Sequence, residues 1–420
     1  MRTLSMLLLV VAAFLVVRWF VPSAEVAAED PPASEPAEVR FLEPPPAPTP
    51  VHAATAAEAP SPEPAPPAWP KSLLNPAEAG SDDEVRLAAA LAHGTPAQVQ
   101  EASARLDANR ARLLESFAWE LAGERQMALS LSEKIARDSV ASAERLLFEA
   151  ALTGRRESPA PGTGPVALGM EMALLAREAR TALAGGQHPE AARAFSDLLV
   201  REFGAPWPPD RRALTEWTEG LDQAQREHRW SPRGDWPASE VKVASGDSLI
   251  AIRLRFLGER PGALLCTGMI ERANRLRGHL QPGQVLRIPT DPVRVLVDLD
   301  ARWALYFLGD EVAAAWPVGI GRPGEETPVG DYTIRNKLEN PPWMKEGQEP
   351  IPFGDPRNPL GTRWMGWSRE GGRTSYGFHG TWEPESIGQA ASDGCVRLLN
   401  EDAEELFQIL PEGTPVRVQG

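Results

Sequence analysis

Two short segments near the carboxyl end carry residue types that could do covalent chemistry: YGFHGT at 376–381 and ASDGCVRL at 391–398. Cys395 follows a glycine, His379 stands 16 residues before it and Arg397 two residues after it. A thiol, an imidazole and a guanidinium in this arrangement suit nucleophilic catalysis, with His379 as base and Arg397 as partner of an anion. An ordinary cysteine is only a few per cent thiolate at neutral pH, so the thiol needs that base or an electropositive turn. On residue types alone, a buried structural cysteine is an equal reading. The other cysteine, Cys266, sits in an apolar helical run and reads as a small core residue. Two cysteines in 420 residues exclude a disulfide framework and a cysteine-built zinc site.

Strands must hold these segments. From Val293 the hydrophobic period becomes two in VRVLVDL, RWALYFL, EVAAAWPVGI and VGDYTIRNK, and GTPVRVQ closes the chain, which predicts a mainly β domain over 292–420. Both chemistry-bearing segments depart from strand logic and flank a loop rich in Gly, Ser and Pro.

The chain ahead of this domain changes character several times. Residues 1–22 contain LSMLLLVVAAFLVV, which reads as a signal anchor crossing the inner membrane or as a signal peptide cleaved near residue 28. Either reading puts the remainder outside the cytoplasm. Residues 23–80 are Pro- and Ala-rich, with 16 prolines across 22–80, and predict a disordered, extended stalk. Residues 81–230 are helical in period. Thr95-Pro96 reads as a cap before AQVQEASARLDANRARLLESFAWEL, and Gly185-Gly186 as a stop after MEMALLAREARTALA. Beyond His188-Pro189, residues Ala191, Ala194, Phe195, Leu198 and Leu199 share one helix face. The segment reads as an all-α, tetratricopeptide-like domain, serving either as a docking surface for a protein partner or as a spacer. Residues 240–290 read as β-run, Gly-Asp turn, two helices and a second β-run, VLRIP. Eight basic and three acidic side chains give residues 241–289 a charge of +5 within a chain of −15. That patch suits an anionic polymer or is a merely solvated face, and the overall acidity argues against a nucleic-acid partner.

With GDSL, a central Asn274 and PGQVLRIP, residues 241–289 resemble the LysM family. The resemblance implies a βααβ module binding N-acetylglucosamine-containing glycans, with Gly246, Asp247, Ser248 and Asn274 lining the groove. From 293 to 419 the chain resembles the YkuD-type L,D-transpeptidase catalytic domain. VDL, TPVGDYTI, NPPW, NPLGTRWMGW, YGFHGT, SIG and SDGCVRL occur in the family's order. This resemblance implies Cys395 as nucleophile, His379 as base oriented by the Gly380 carbonyl, and Ser392, Gly394 and Arg397 as signature residues. It also implies an oxyanion hole of Asp393, Gly394 and Cys395 N–H groups, with Arg397 supporting the site or pairing with a substrate carboxylate. Tyr376, Trp364, Trp367 and Trp382 become candidate walls of the substrate groove, with core packing as the competing reading. The family usually has histidine where this chain has Asp393, and that carboxylate should raise the thiol pKa unless Arg397 or His379 neutralises it.

The implied whole is a multidomain envelope protein: membrane helix, disordered linker, helical domain, LysM module and mainly-β catalytic domain. Its expected activity is cysteine acyl transfer on peptidoglycan tetrapeptides, releasing D-alanine to make 3-3 cross-links or attach a wall protein, without metal or organic cofactor. An L,D-carboxypeptidase using the same residues, and an inactive LysM-anchored wall-binding protein, are the alternatives.

Overall fold

The computed structural model describes Trp69 and residues 80–135, 142–154, 164–344 and 349–420. The expected membrane helix of 1–22 lies outside the described residues, as does the linker apart from Trp69 and Gly80. Among the described residues, no helix is long and apolar enough to cross a membrane.

The helical region opens with α1 (Asp82–His93), where Ser81 accepts the Glu84 N–H and the Glu84 carboxylate accepts the Ser81 N–H. Thr95 and Gln98 form the same reciprocal cap at α2 (Pro96–Ser103). The helix expected to continue to Leu121 breaks instead. Asp107 accepts the Asn109 and Arg110 N–H groups and restarts the chain as α3 (Ala108–Leu121), because a short carboxylate competes with helical backbone bonding. After α4 (Arg125–Ser132) and α5 (Ser142–Thr153) comes α6 (Pro165–Ala184), which stops at Gly185-Gly186 as its sequence implies. In α7 (His188–Phe203) the expected face is the inward one, with Ala191, Phe195, Leu198 and Leu199 buried. The region ends with α8 (Arg211–Glu227).

A βααβ unit follows: β1 (Ala238–Lys242), α9 (Leu249–Glu259), α10 (Thr267–Ala273) and β2 (Val285–Pro289), with the two strands antiparallel. Cys266 stands just before α10 rather than inside a helix, and its thiol donates to the Gln408 carbonyl at 3.1 Å.

The carboxyl region is mainly β. Its elements are β3 (Val293–Asp298), β4 (Trp303–Leu308), β5 (Glu311–Pro317), β6 (Ile320–Gly321), β7 (Gly330–Glu339), β8 (Arg363–Arg369), β9 (Gly372–His379), β10 (Ala390–Ser392), β11 (Val396–Arg397), α11 (Asn400–Ile409) and β12 (Pro415–Gln419). Eight strands form one sheet in the order β11-β9-β8-β7-β12-β3-β4-β5, and β6 pairs separately with β10. The last strand enters the middle, parallel to β3 and antiparallel to β7.

Both faces of the central strands are covered. Val295, Val297, Ala304 and Tyr306 pack with α11 and with the βααβ unit, whose Ile252, Met269 and Ile288 belong to the same cluster. On the other face Leu296, Trp303, Leu305 and Phe307 pack against α6, α7 and α8 through Leu175, Phe195, Leu199, Trp217 and Leu221. The helical region therefore shares a core with the sheet. It also covers the outer strand: the Val312 N–H donates to Ser196 Oγ at 2.8 Å, and the Gln225 amide donates to the Val312 carbonyl at 2.8 Å. Trp69 lies edge-on to Phe307, with the Arg294 and Arg417 guanidinium groups against its ring.

The crossing of α7 and α8 leaves no room at Gly220, where a Cβ would sit 2.4 Å from the buried Phe195 ring. Gly220→Ala gains about 1 kcal/mol of helix propensity and loses more to overpacking, which costs about 1–3 kcal/mol. Its Tm should fall, whereas Gly258→Ala, at an open position of α9, should raise it. Thermal unfolding of the two variants measures the difference, and equal effects would contradict this packing.

Candidate active site

The two chemistry-bearing segments are strand ends, not loops. β11 runs parallel to β9 with Val396 opposite Phe378 and Arg397 opposite His379. Val396 and Phe378 are fully buried in the core. Side chains alternate across a strand, so Arg397 and His379 share the opposite face, and Cys395 stands in the turn one residue before β11. A two-residue strand is too short to show a period, which is why alternation did not reveal it.

His379 is buried, and its Nδ1–H donates to the Gly380 carbonyl at 2.6 Å, which leaves Nε2 with its lone pair. That carbonyl also accepts the Gly361 N–H at 2.9 Å. Asn400 Oδ1 accepts the Thr362 N–H at 3.0 Å and is wedged between two glycines: a Cβ on Gly361 or Gly380 would fall 1.9 or 2.2 Å from it. Neither Gly361 nor Asn400 stands out in the sequence, since their role comes from contact rather than spacing. Across the β8–β9 pair the Trp364 ring stacks on His379, with centroids 6.2 Å apart.

Burial pushes the His379 imidazole down to about 4; the Gly380 bond opposes this and the Arg397 charge adds to it. Burial pushes the Cys395 thiol up to about 11, the Gly377 N–H pulls it back, and Asp393 and Arg397 then act in opposite directions. The resting pair is therefore neutral thiol and neutral imidazole. The thiol donates to the Ser375 carbonyl at 3.6 Å, so it has to turn before it can pass its proton to His379.

The turn before Cys395 is tightly built. Ser392 Oγ donates to the Cys395 carbonyl at 2.6 Å and accepts the Gly394 N–H at 3.2 Å, so that N–H is not free for the oxyanion role expected of it. Gly394 has φ +97°, and a Cβ there would lie 2.7 Å from the Tyr376 ring; the position needs glycine on both counts. Asp393 is exposed and paired with Arg322, whose own N–H donates to the Ser392 carbonyl at 2.9 Å. The cation that meets Asp393 is thus Arg322, which sequence reasoning missed, and not Arg397 or His379. Arg397 Nη1 donates instead to Glu383 Oε2 at 2.7 Å.

Of the expected groove aromatics, Tyr376 and Trp364 border this turn and His379, and Trp382 is half exposed beside Phe353. Trp367 is fully buried against Tyr332 and Phe378, on the core face.

The expected glycan-contact residues lie elsewhere, in the βααβ unit, and their polar groups serve the fold. Gly246 takes φ +84° in the first turn. Asp247 accepts the Ala244 N–H at 2.9 Å and pairs with Arg255. Ser248 caps α9. The Asn274 amide donates to the Ile270 and Arg287 carbonyls, and its oxygen accepts the Arg287 N–H. Three of the unit's arginines bond the surrounding structure. Arg272 pairs with Glu405 of α11, Arg275 bonds the Trp230 and Arg226 carbonyls, and Arg287 bonds carbonyls of Pro232, Gly234 and Trp236. Part of the basic count of this segment thus serves to dock it.

Residues 292–418 match the family model of the YkuD L,D-transpeptidase catalytic domain. YqjB of Bacillus subtilis, named as an L,D-transpeptidase, is 38% identical over 31% of this chain and 73% of its own. The L,D-transpeptidase YkuD of the same organism is 31% identical over 42% of this chain and 96% of its own. Among solved structures, an L,D-transpeptidase from Mycobacterium smegmatis is 23% identical, with a TM-score of 0.26, over 33% of this chain and 64% of that one.

Two measurements probe this electrostatics. With the folded His379 near 4 and the unfolded value at 6.5, the unfolded chain binds more protons between these limits, so stability falls as pH drops through that window and levels below it. The loss should be on the order of 3 kcal/mol in denaturant unfolding, and a His379→Gln variant should show a flatter acid limb. Removing the cation from Asp393 by Arg322→Ala should slow iodoacetamide alkylation of Cys395 by roughly two- to fivefold, and adding Asp393→Asn should restore it. An Arg322→Ala rate equal to wild type would show that Asp393 does not act on the thiol.

Proposed function

Since the chain belongs to the L,D-transpeptidase family, we propose that residues 292–420 form a cysteine acyltransferase acting on peptidoglycan stem peptides, with Cys395 as nucleophile and His379 as base. The observation that supports this reading is the β9–β11 pairing, which brings the turn carrying Cys395 to the end of the strand carrying His379, with Nδ1 of a neutral His379 already bonded to Gly380.

Cys395 Sγ attacks the carbonyl of the diamino acid at the third stem position while its proton passes to His379 Nε2. With the thiol held near 11 and the imidazole near 4, a standing ion pair is unfavourable, so proton transfer accompanies attack. The developing oxyanion is met by the Asp393 and Cys395 N–H groups. The C–N bond then breaks, His379 returns the proton to the leaving D-alanine amine, and a thioester remains on Cys395. An acceptor amine attacks the thioester to give a 3-3 cross-link or an attached wall protein; water in its place gives L,D-carboxypeptidase trimming. Ser392 and Gly394 shape the turn, and Tyr376, Trp364 and Trp382 border the donor groove.

The remaining assignments rest on order and motif. Residues 240–290 act as a LysM glycan-binding module, supported by the βααβ order and the left-handed Gly246 turn. Residues 1–22 anchor the protein in the membrane, 23–80 extend it toward the wall, and 81–230 support the sheet.

Incubation of the protein with disaccharide-tetrapeptide, followed by mass spectrometry beside Cys395→Ala, tests the proposal. Dimers lacking one D-alanine, absent with the variant, are the expected products. Monomeric tripeptide alone would move the assignment to carboxypeptidase, and no turnover with retained sedimentation on insoluble peptidoglycan would move it to a wall-binding protein.

A further inference from the structure

The sheet face that carries His379 continues away from it over two glycines. Gly377 of β9 stands opposite Gly366 of β8, and Asn336 of β7 stands opposite Gly366, one row from the His379–Trp364 pair. Without side chains there, the Trp364 indole lies on the sheet itself: a Cβ on Gly377 would fall 3.0 Å from its six-membered ring, and one on Gly366 2.8 Å from its Nε1. The same point above Gly366 is 2.5 Å from Asn336 Oδ1 and 3.2 Å from Arg335 Nη2. Arg335 sits at the register shift between Ile334 and Asn336 of β7, an irregularity that aims its side chain onto this face. Arg335 Nε and Asn336 Oδ1 are buried without hydrogen-bond partners, and among the described residues no carboxylate pairs with the Arg335 guanidinium.

A guanidinium and an indole N–H donate, an amide oxygen accepts, and the three converge over one glycine. That set complements a carbon bearing both a carboxylate and an ammonium group. The Cys395 thiol lies at the near end of the same face, against the Ser375 carbonyl at 3.6 Å and the Gly377 N–H of β9. From Gly377 to Asn336 is two strand spacings, ~9.5 Å. A diamino acid attacked at its own carbonyl carries the far end of its extended side chain ~7 Å from that carbon, and the arginine arm spans the remainder. Building on the acyl-transfer reading above, we propose that Arg335 and Asn336 bind the far end of the donor's diamino acid side chain, and so select a diamino acid with a carboxylate beside its terminal amine over one that ends in the amine alone. Amidation of that carboxylate removes the anion that Arg335 awaits.

Isothermal titration of the full chain carrying Cys395→Ala reads this with disaccharide-tetrapeptide containing diaminopimelate at the third position, with its side-chain carboxamide and with its C-terminal carboxamide. The side-chain carboxamide should bind about five- to tenfold more weakly than the free acid, and adding Arg335→Gln should abolish that difference while leaving the effect of the C-terminal carboxamide in place. Loss of the C-terminal effect instead would give the guanidinium to the leaving residue and overturn the assignment. Equal binding of the two side-chain forms before the substitution, or an unchanged difference after it, overturns it as well. Arg335→Lys, which keeps the charge without the fork, should leave the free acid the tighter ligand by a smaller factor and serves if Arg335→Gln does not fold. D-alanine release by the chain with Cys395 intact is measured separately on the same tetrapeptide. Discrimination without release would count against the acyl-transfer reading and keep the subsite, and release without discrimination would do the reverse.

Discussion

A strand buried on both faces needs two covers, and β3 and β4 are such strands. Val295 and Val297 point one way, Leu296 the other, and the chain supplies a different layer to each. α11 and the βααβ unit close one face, while α6, α7 and α8 close the other. The regions ahead of the sheet are therefore part of what holds it. Arg294 is the exception inside this arrangement: fully buried, it reaches the exposed Asp310 and lies against the Phe307 and Trp69 rings, and its burial lowers its pKa. The arginine thereby ties the end of the Pro-rich stretch to the sheet.

The two edges of the sheet are closed differently. At the β5 edge, Ser196 and Gln225 take the Val312 backbone groups. At the other edge β11 is two residues long, and the Arg397 N–H and carbonyl bond Gly319 beside the Cys395 turn. The site is built at this end of the ladder, from backbone brought unusually close. Gly361, Gly380 and Gly394 leave room for Asn400 and Tyr376, and no larger residue fits those contacts.

Arginines connect the site to its surroundings. The Gly388 carbonyl, on the approach to β10, accepts bonds from Arg302 at 2.7 Å and from Arg211 of the helical region at 3.3 Å. Arg322 holds Asp393, and Arg397 holds Glu383. The Arg322–Asp393 pair is exposed on both sides and the Arg397–Glu383 pair on one, so each contributes little to stability. Their importance is geometric, because the thiol is pushed up by Asp393 and down by Arg397, and small movements of either change its reactivity.

The sequence by itself determined the candidate residues and most of the secondary structure. Cys395, His379 and Arg397 stand out by type and spacing, the caps at Thr95 and Gly185 mark helix ends, and period-two runs give β3, β4, β5, β7 and β12, because these signals are local. It did not determine that YGFH and VR are strand ends, since Phe378 and Val396 become core only once the two segments lie side by side. Nor could it show the insertion of Asp107 into a helical run as a break, the bonds of Arg272, Arg275 and Arg287 to the neighbouring elements, or the removal of Trp367 from the groove. The cation facing Asp393 and the anion facing Arg397 were hidden for the same reason: Arg322 lies 71 residues and Glu383 14 residues away in the chain. Pairings across such distances are set by strand register and core packing, and only the tertiary structure decides them.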